Sequence, residues 1–335
     1  MKIGFPIGTN GKGGATSWVK TFSDYCISMG YDVFFNTDEE VDVLITLANY
    51  LSLEKIMEYE KRNTKIIYRM DGIYFDYLLE DNKKVELFNK QVRDSISHAD
   101  RVIYQSNFSK DLVKLLFDGK EIPGDIIYNG ADTKVFKPEG DVLLRPIDKK
   151  IILSIAYWGT PLMANYSIHA ILKIAKEFLD NEAIEFWILG LAYPETEKLI
   201  QDANLPNITK YDLKTPIKRE DMPKYIRTAD MILHTRSNDA CSNLIVEAMN
   251  VGIPIVGLNS GSTPELLGDA GLLCECKPSY DEFPEINIKD MAHKIRQTFE
   301  HYDVIKNKIK ERAILFTQDI MCEKYIDQIK LLVKE

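Results

Sequence analysis

Two carboxylates stand eight positions apart in the run HTRSNDACSNLIVEAMNVGIPIVGLNSGSTPELLGDAGLLCE, residues 234–275. Asp239 lies in a polar loop after an apolar strand, and Glu247 lies on the helix that the pattern predicts beyond Cys241. The first N–H groups of such a helix suit a diphosphate, and a carboxylate on the same helix can accept both hydroxyls of a ribose. This spacing is consistent with a nucleotide site.

A simpler interpretation assigns no chemistry to either residue. In that interpretation Asp239 only caps the helix and Glu247 is a surface charge. Composition alone favours this interpretation over a site, so other parts of the chain must decide between the two.

A glycine-rich loop, GTNGKGGATSW at residues 8–18, follows the first apolar run. It lacks both the spacing of a nucleoside-triphosphate loop and the third glycine or alanine of a dinucleotide fingerprint. The pattern predicts a turn into a helix that begins near Ala15, where N–H groups and the helix dipole can receive an anion. A plain strand-to-helix turn is the alternative.

Short apolar runs alternate with helical periodicity along the whole chain, which is typical of repeated β-α units around parallel sheets. The alternation restarts after a polar, proline-containing segment near residue 148. We therefore expect an N-terminal Rossmann-like domain over residues 1–147 and a C-terminal one over 148–317. We expect residues 318–335 to form a helix that packs back toward the first domain. In such sheets ligands gather beyond the carboxyl ends of the strands, so a cleft between the domains is the expected site.

Bulk composition narrows the classes of function. The 335 residues include 42 basic and 51 acidic side chains, a net charge of -9, which argues against nucleic acid as a partner. Five cysteines suggest reduced thiols in a cytosolic compartment, and Cys274 and Cys276 lack the further pair that a zinc site needs. No signal or membrane-spanning run is visible, so we expect a soluble protein.

The C-terminal helices carry a series of basic residues. They suggest either a solvated surface or a face for an anionic membrane. The residues are Lys294, Arg296, Lys306, Lys308, Lys310 and Arg312.

The run at 234–275 resembles the signature region of the family 4 retaining glycosyltransferases, which have the GT-B fold. The matching residues are Asp239, Glu247, Ala248, Met249, Gly252, Pro254, Gly261, Pro264 and Glu265. The segments NGADTKVFKP (129–138) and SHADRVIYQSNFSKDL (97–112), and the early GKGGAT, are also similar to the family. The resemblance implies an α/β fold of two doubly wound domains that face each other across a cleft.

The resemblance also implies roles for individual residues. Asp239 takes the position of the catalytic residue that contacts the transferred sugar, and Glu247 would hold the nucleotide ribose. The backbone near Asn243 and Leu244 would meet the diphosphate. Gly13 and Gly14 would be backbone donors to the nucleotide sugar.

The segment YRMDGIYFD falls where family members end a strand of the first domain at the cleft. Asp71 is therefore a second catalytic candidate, and Arg69 and Gly72 are acceptor-side candidates. A structural role for Asp71 is an equally good interpretation.

Two departures from the family pattern bear on activity. The first carboxylate is aspartate where the family has glutamate. The segment from Ala156 to His169 contains no cation, whereas the family places an arginine and a lysine there to neutralise the diphosphate. Arg236, which we expect at the donor site, or Lys110 would have to compensate; otherwise the leaving group loses several kcal/mol of stabilisation.

The leading hypothesis is a retaining, metal-independent, hexosyltransferase-type enzyme that needs no cofactor beyond its nucleotide-diphosphate-sugar donor. The acceptor would be a glycan or a lipid-linked sugar, as in polysaccharide biosynthesis, and the location cytoplasmic, with peripheral contact at the inner membrane face. One alternative is a weak or inactive GT-B module that binds a nucleotide or glycan. Another is a GT-B epimerase or hydrolase.

Overall fold

The computed structural model describes residues 1–10, 13–36, 39–79, 81–155, 160–190, 193–212, 217–277 and 279–334. The first half of the chain alternates strands and helices. In order these are β1 (Lys2–Phe5), α1 (Gly14–Ser28), β2 (Asp32–Phe35), β3 (Val43–Leu47), α2 (Leu53–Lys61), β4 (Lys65–Met70), a 3₁₀ turn (Asp76–Leu78), α3 (Asn82–Ser97), β5 (Arg101–Tyr104), α4 (Asn107–Leu116) and β6 (Asp125–Ile126).

The second half repeats the alternation and ends in three consecutive helices. The elements are β7 (Lys150–Ile155), α5 (Pro161–Lys176), β8 (Ile184–Gly190), α6 (Pro194–Ala203), β9 (Ile208–Asp212), α7 (Met222–Thr228), β10 (Met231–His234), α8 (Asn243–Val251), β11 (Ile255–Leu258), α9 (Thr263–Leu267), β12 (Leu272–Cys274), α10 (Ile288–Glu300), α11 (Tyr302–Ala313) and α12 (Gln318–Lys334). None of the helices in the described ranges is long and apolar enough to cross a membrane.

The strands assemble into two six-stranded parallel sheets. Central strands such as β3 and β10 are buried at every position, as expected for sheets covered by helices on both faces. These strands are uninterrupted apolar runs in the sequence, and that pattern predicted them. The predicted α/β fold class is confirmed.

The chain divides into two compact units. The first contains Met1–Asp76, Glu80–Gly130 and Gln318–Glu335, and the second contains Tyr77–Leu79 and Ala131–Thr317. The division falls after Gly130, whereas the sequence analysis placed it after residue 147. The reason is that the irregular segment before β7 is tied to the second unit by two side chains. Arg145 binds Asp230 at 2.7 Å, and Arg227 donates to the carbonyl of Asp141.

Helix α12 is packed within the first unit. Its buried face includes Met321, Cys322, Tyr325 and Ile329, which join the core formed by α1 and the sheet. Tyr325 lies 4.9 Å from the ring of Trp18 and 5.3 Å from that of Phe22. The last helix of the chain therefore completes the core of the unit in which the chain begins.

Both sheets have a point at which the order of the strands reverses. In the first unit the order is β2-β1-β3-β4-β5-β6, which reverses between β1 and β3. In the second unit the order is β12-β11-β10-β7-β8-β9, which reverses between β10 and β7. Ligands of open α/β sheets bind beyond the strand ends at such points. The loops after β1 and after β10 are therefore the positions where a site is expected.

Candidate donor site in the second unit

The loop after β10 is held in one conformation by a neighbouring glycine turn. Asn238 has a left-handed backbone with φ of 51°, and its N–H donates to the Ser260 hydroxyl at 3.0 Å. A Cβ on Gly261 would lie 2.6 Å from the Asp239 nitrogen, so only glycine permits this approach. The N–H of Ser262 then donates to the Asp239 carbonyl at 2.8 Å. The glycine-rich part of the sequence signature thus fixes the backbone of Asp239.

The Asp239 carboxylate lies between two basic groups. Its Oδ2 is 3.6 Å from Nε of Arg236 and 3.9 Å from Nε2 of His234. The aspartate side chain is 15% exposed and that of Arg236 is 42% exposed. The carboxylate is therefore held at the strand end yet accessible. It does not cap the helix, because the helix begins with Ser242 as its N-cap.

Glu247 is buried, which corrects the interpretation of this residue as a surface charge. Its Oε1 lies 2.8 Å from Nη1 of Arg219, and the guanidinium of Arg219 lies over the ring of Phe136 at 5.1 Å. Burial raises the pKa of Glu247, and Arg219 acts in the opposite direction. The carboxylate and its partner form an ion pair in which only the arginine side chain, 35% exposed, reaches solvent.

The helix that carries Glu247 begins at the expected place. Asn243 and Leu244 are its first two residues, and it ends at Gly252, whose φ of 82° is the left-handed conformation that favours glycine. Its core face is formed by Ile245, Ala248 and other apolar residues. The helix therefore presents its first turn at the edge of the sheet where the order of strands reverses, as a diphosphate site requires.

His234 ends β10 beneath this loop and is 4% exposed. Its Nε2 lies 3.2 Å from the Ser242 hydroxyl. Burial lowers the pKa of His234 to about 4, while Asp239 acts to raise it and Arg236 acts to lower it. The imidazole is therefore neutral at physiological pH.

The Asn238 amide connects the loop to a distant part of the sequence. Its Nδ2 donates to the Tyr77 hydroxyl at 2.7 Å and to the Ser279 carbonyl at 2.8 Å. The Tyr77 ring packs on Phe283 at 4.6 Å, and Phe283 stacks on Tyr166 at 4.5 Å. Tyr77 is thus part of the support of the residue directly before Asp239.

Sequence reasoning missed Arg219, His234 and Tyr77. Only His234 carried a signal, because it ends a predicted strand five positions before Asp239. Arg219 and Tyr77 lie far from the motif in sequence, and no local spacing marks them.

The candidates of the first unit are arranged differently. Arg69 is 2% exposed, its guanidinium pairs with Asp71, its Nη2 donates to Asn129 at 2.9 Å, and it lies 4.4 Å from the ring of Trp18. Gln105 donates to Asp71 at 2.6 Å. The charge of Arg69 is therefore engaged within the fold, and its acceptor-side role stays a prediction. The network is consistent with the structural interpretation of Asp71, whose side chain is 18% exposed, and its catalytic role stays a prediction.

The glycine candidates of the first unit lie in turns. Gly13 is the N-cap of α1 with φ of 100°, and Gly14 is the first helical residue. A Cβ on Gly13 would meet no atom within 4 Å. Gly72 follows β4 with φ of 126°. Their contacts with a donor or acceptor stay predictions, and Gly11 and Lys12 of the same loop fall outside the described residues.

The basic residues of the C-terminal helices are used within the fold. Arg312 donates to the carbonyls of Leu266 and Glu265, Arg296 donates to that of Glu177, and Lys308 pairs with Asp269 at 3.0 Å. These contacts account for part of the predicted basic face without a membrane.

The five cysteines are buried free thiols. Burial raises the pKa of Cys274 to about 12. Among the described residues, no cluster of three His, Cys, Asp or Glu side chains converges as a metal site.

Comparison with known proteins finds a partial match to one family model and a fold shared with solved structures. Residues 151–301 match the model of the family "Glycosyl transferases group 1". The D-inositol 3-phosphate glycosyltransferase of Corynebacterium kroppenstedtii is 24% identical over 196 residues, which are 54% of this chain and 43% of that protein. The match therefore spans less than half the length of that relative.

Solved structures resemble the chain over nearly its full length. Sucrose-phosphate synthase of Thermosynechococcus elongatus superposes with a TM-score of 0.78 at 14% identity, covering 99% of both chains. HepE of Anabaena, solved in complex with UDP-glucose, gives 0.69 at 15% identity, covering 98% of this chain and 99% of that one. The chain therefore has the GT-B fold, and its residues 151–301 are similar to the glycosyl transferases group 1 family.

Proposed function

We propose that the protein is a retaining glycosyltransferase that uses a nucleotide-diphosphate sugar as donor. One observation carries the proposal. Glu247 is a buried carboxylate on the helix that begins at the strand-reversal point, next to the fixed loop of Asp239. It is paired with the partly exposed Arg219. In this arrangement the ribose would meet Glu247, the diphosphate the first turn of α8, and the sugar Asp239. This is the order in which the three parts are linked in the donor.

Glu247 would bind the ribose hydroxyls, since a buried carboxylate accepts hydrogen bonds strongly where water does not compete. Arg219 favours the charged form of that carboxylate, because it opposes the rise in pKa that burial causes. The ion pair thus prepares Glu247 as an acceptor before the nucleotide arrives.

The departing diphosphate would be stabilised by the first turn of α8 and by nearby cations. Arg236 is 42% exposed beside Asp239, and Arg219 is 35% exposed beside Glu247. Both arginines stand on the unit that carries α8. They supply the positive charge that the segment from Ala156 to His169 lacks, although residues 156–159 fall outside the described ranges.

The reaction would proceed at one face of the sugar. The bond from the anomeric carbon to the diphosphate oxygen breaks, and its electron pair leaves with the diphosphate. The acceptor hydroxyl bonds to the same face of the anomeric carbon and transfers its proton to the departing phosphate. Asp239 would hold the sugar hydroxyls and stabilise the positive charge that develops on the ring, without metal or cofactor.

The structural neighbours guide the choice of donor. HepE was solved with UDP and with UDP-glucose, so UDP-hexoses are the first donors to test. The acceptor would be a glycan or lipid-linked sugar in the cytoplasm, with peripheral contact at the inner membrane face. This part of the proposal rests on the family resemblance.

The proposal is tested by incubating the protein with a panel of nucleotide sugars, with and without glycan acceptors. Release of the nucleoside diphosphate and the anomeric configuration of the product are followed by NMR. We expect acceptor-dependent release with retained configuration, and a loss of turnover of about 10²–10³-fold in Asp239→Asn. Asp180→Asn, which changes an exposed aspartate of the same unit, is the matched control.

Three results would contradict the proposal in distinguishable ways. An inverted product would exclude the retaining mechanism. Release of the nucleotide without acceptor would favour the epimerase or hydrolase alternative. Binding without turnover would favour the inactive module.

A further inference from the structure

Ser242 is placed as a helix cap but does not act as one. It is the N-cap of α8, and its φ of -70° and ψ of 116° lie in the extended region from which serine normally caps. The side chain nevertheless makes no capping hydrogen bond to the first turn. The Ser242 side chain is buried, so water does not explain the difference.

Two other N-cap serines that have extended backbones show the usual behaviour. Ser52 accepts from the N–H of Lys55 at the start of α2, and Ser106 accepts from that of Ser109 at the start of α4. Both have extended backbones, like Ser242. The difference at α8 therefore has its cause in the surroundings of the side chain and not in the residue type.

That cause is His234. Its Nε2 lies 3.2 Å from the Ser242 hydroxyl, and the imidazole is itself buried at 4% exposure. The histidine holds the hydroxyl against the end of β10 and away from the N–H groups of Leu244 and Ile245. By helix geometry these two groups have no acceptor within the helix.

We propose that His234 is a positioning residue that keeps the N-terminus of α8 uncapped, so that the diphosphate of the donor becomes its cap. The inference rests on the proposed function, since it assigns the diphosphate to this helix end. It adds a residue that touches no substrate and acts through Ser242. A side-chain cap and a diphosphate compete for the same N–H groups. Removal of His234 is therefore expected to weaken diphosphate binding, because the Ser242 cap stabilises the ligand-free helix.

The first test needs no ligand. Amide hydrogen exchange of Ile245 is measured in the wild type, His234→Leu and His234→Gln. We expect slower exchange of this amide in His234→Leu, because the freed Ser242 hydroxyl caps it. His234→Gln, whose side-chain amide can still hold the hydroxyl, is expected to exchange like the wild type. Equal exchange in His234→Leu and the wild type would overturn the inference.

The second test measures binding of uridine diphosphate and of pyrophosphate in the same variants. The affinity is expected to fall about fivefold in His234→Leu, the equivalent of one side-chain cap. The loss is expected to disappear when Ser242→Gly is added to His234→Leu. A merely structural defect of His234→Leu would persist in the double variant, and that result would overturn the inference. Failure of the wild type to bind either probe would instead count against the proposed function, while the exchange test still decides the role of His234.

Discussion

Each unit of the molecule has an arginine paired with a carboxylate, and the two pairs differ in what surrounds them. In the first unit Arg69 is 2% exposed, and Asp71, Asn129 and the ring of Trp18 engage its guanidinium. In the second unit Arg219 is 35% exposed and pairs with Glu247 while its guanidinium lies over Phe136. The carboxylate is the more buried partner in the second pair and the arginine in the first.

This difference separates a structural ion pair from a candidate site. A buried arginine with hydrogen bonds on several sides is fixed, because moving it would leave its charge without partners. A buried carboxylate with a partly exposed arginine retains access to a ligand. The sequence indicated Arg69, Asp71 and Glu247 as candidates but did not reveal the burial that distinguishes the two pairs.

The largest expected effect is on the first pair. Arg69→Met removes the ion pair, the hydrogen bond to Asn129 and the contact with Trp18. We expect a loss of about 3–5 kcal/mol in the free energy of unfolding, measured by urea denaturation. Arg236→Met, which changes an arginine that is 42% exposed, is the control and is expected to cost less than about 1 kcal/mol. Similar losses in the two variants would remove the distinction between a fixed and an accessible arginine.

The next effect is a pH dependence of stability that originates in the loop after β10. The pKa of His234 is about 4 in the fold and about 6.5 in the unfolded chain, so the unfolded state binds the proton first. The free energy of unfolding is therefore expected to fall as the pH drops from 6.5 to 4, by on the order of 3 kcal/mol, and this contribution is fully present above pH 6.5. Urea denaturation of the wild type and His234→Gln over this range measures it as a difference. Parallel curves would contradict the assignment of His234 as a buried neutral group.

A smaller effect is expected from Arg219→Met, and it concerns binding more than stability. The variant leaves Glu247 buried without its partner, which raises the pKa of the carboxylate further and weakens it as an acceptor. We expect the affinity for the nucleoside diphosphate to fall about tenfold, measured by calorimetry. Arg227→Met, which removes carbonyl contacts elsewhere in the same unit, is the control. Unchanged affinity in Arg219→Met would show that this pair is structural, like that of Arg69.

The smallest effect is expected from matched tyrosines. The Tyr77 hydroxyl accepts from Asn238 beside Asp239, and the Tyr74 hydroxyl donates to Asn49 at 3.0 Å in the first unit. Each change to phenylalanine is expected to cost about 1 kcal/mol of stability. Only Tyr77→Phe is expected to lower kcat/KM, by about two- to fivefold, since it loosens the loop of Asp239. Equal kcat/KM values in the two variants would show that Tyr77 does not support the site.

The fold was predictable because it depends on local signals. The buried strands, such as Val43–Leu47 and Met231–His234, are apolar runs that the sequence displays directly. The position of the division between the units was not, because the side chains of Arg145 and Arg227 attach residues before β7 to partners far along the chain. Long-range pairs of this kind leave no periodic trace in one sequence.

For the candidate site, the sequence predicted local features and not tertiary contacts. The spacing of Asp239 and Glu247 predicted the loop and the helix that the structure brings together beside the glycine turn at Gly261. Burial of Glu247, its partner Arg219 and the contact between His234 and Ser242 depend on the tertiary arrangement. The same holds for the burial of Arg69, which the motif indicated as an acceptor-side candidate.

The central claim is that Glu247 belongs to a nucleotide site, and a thermal-shift panel of nucleoside diphosphates and their sugars tests it most directly. A ligand at about one hundred times its Kd adds roughly 2.7 kcal/mol, which raises Tm by several degrees. We predict a shift with at least one nucleotide in the wild type and in Glu300→Gln, an exposed control in the same unit, and its loss in Glu247→Gln. No shift with any nucleotide, or an equal shift in Glu247→Gln, would contradict the account.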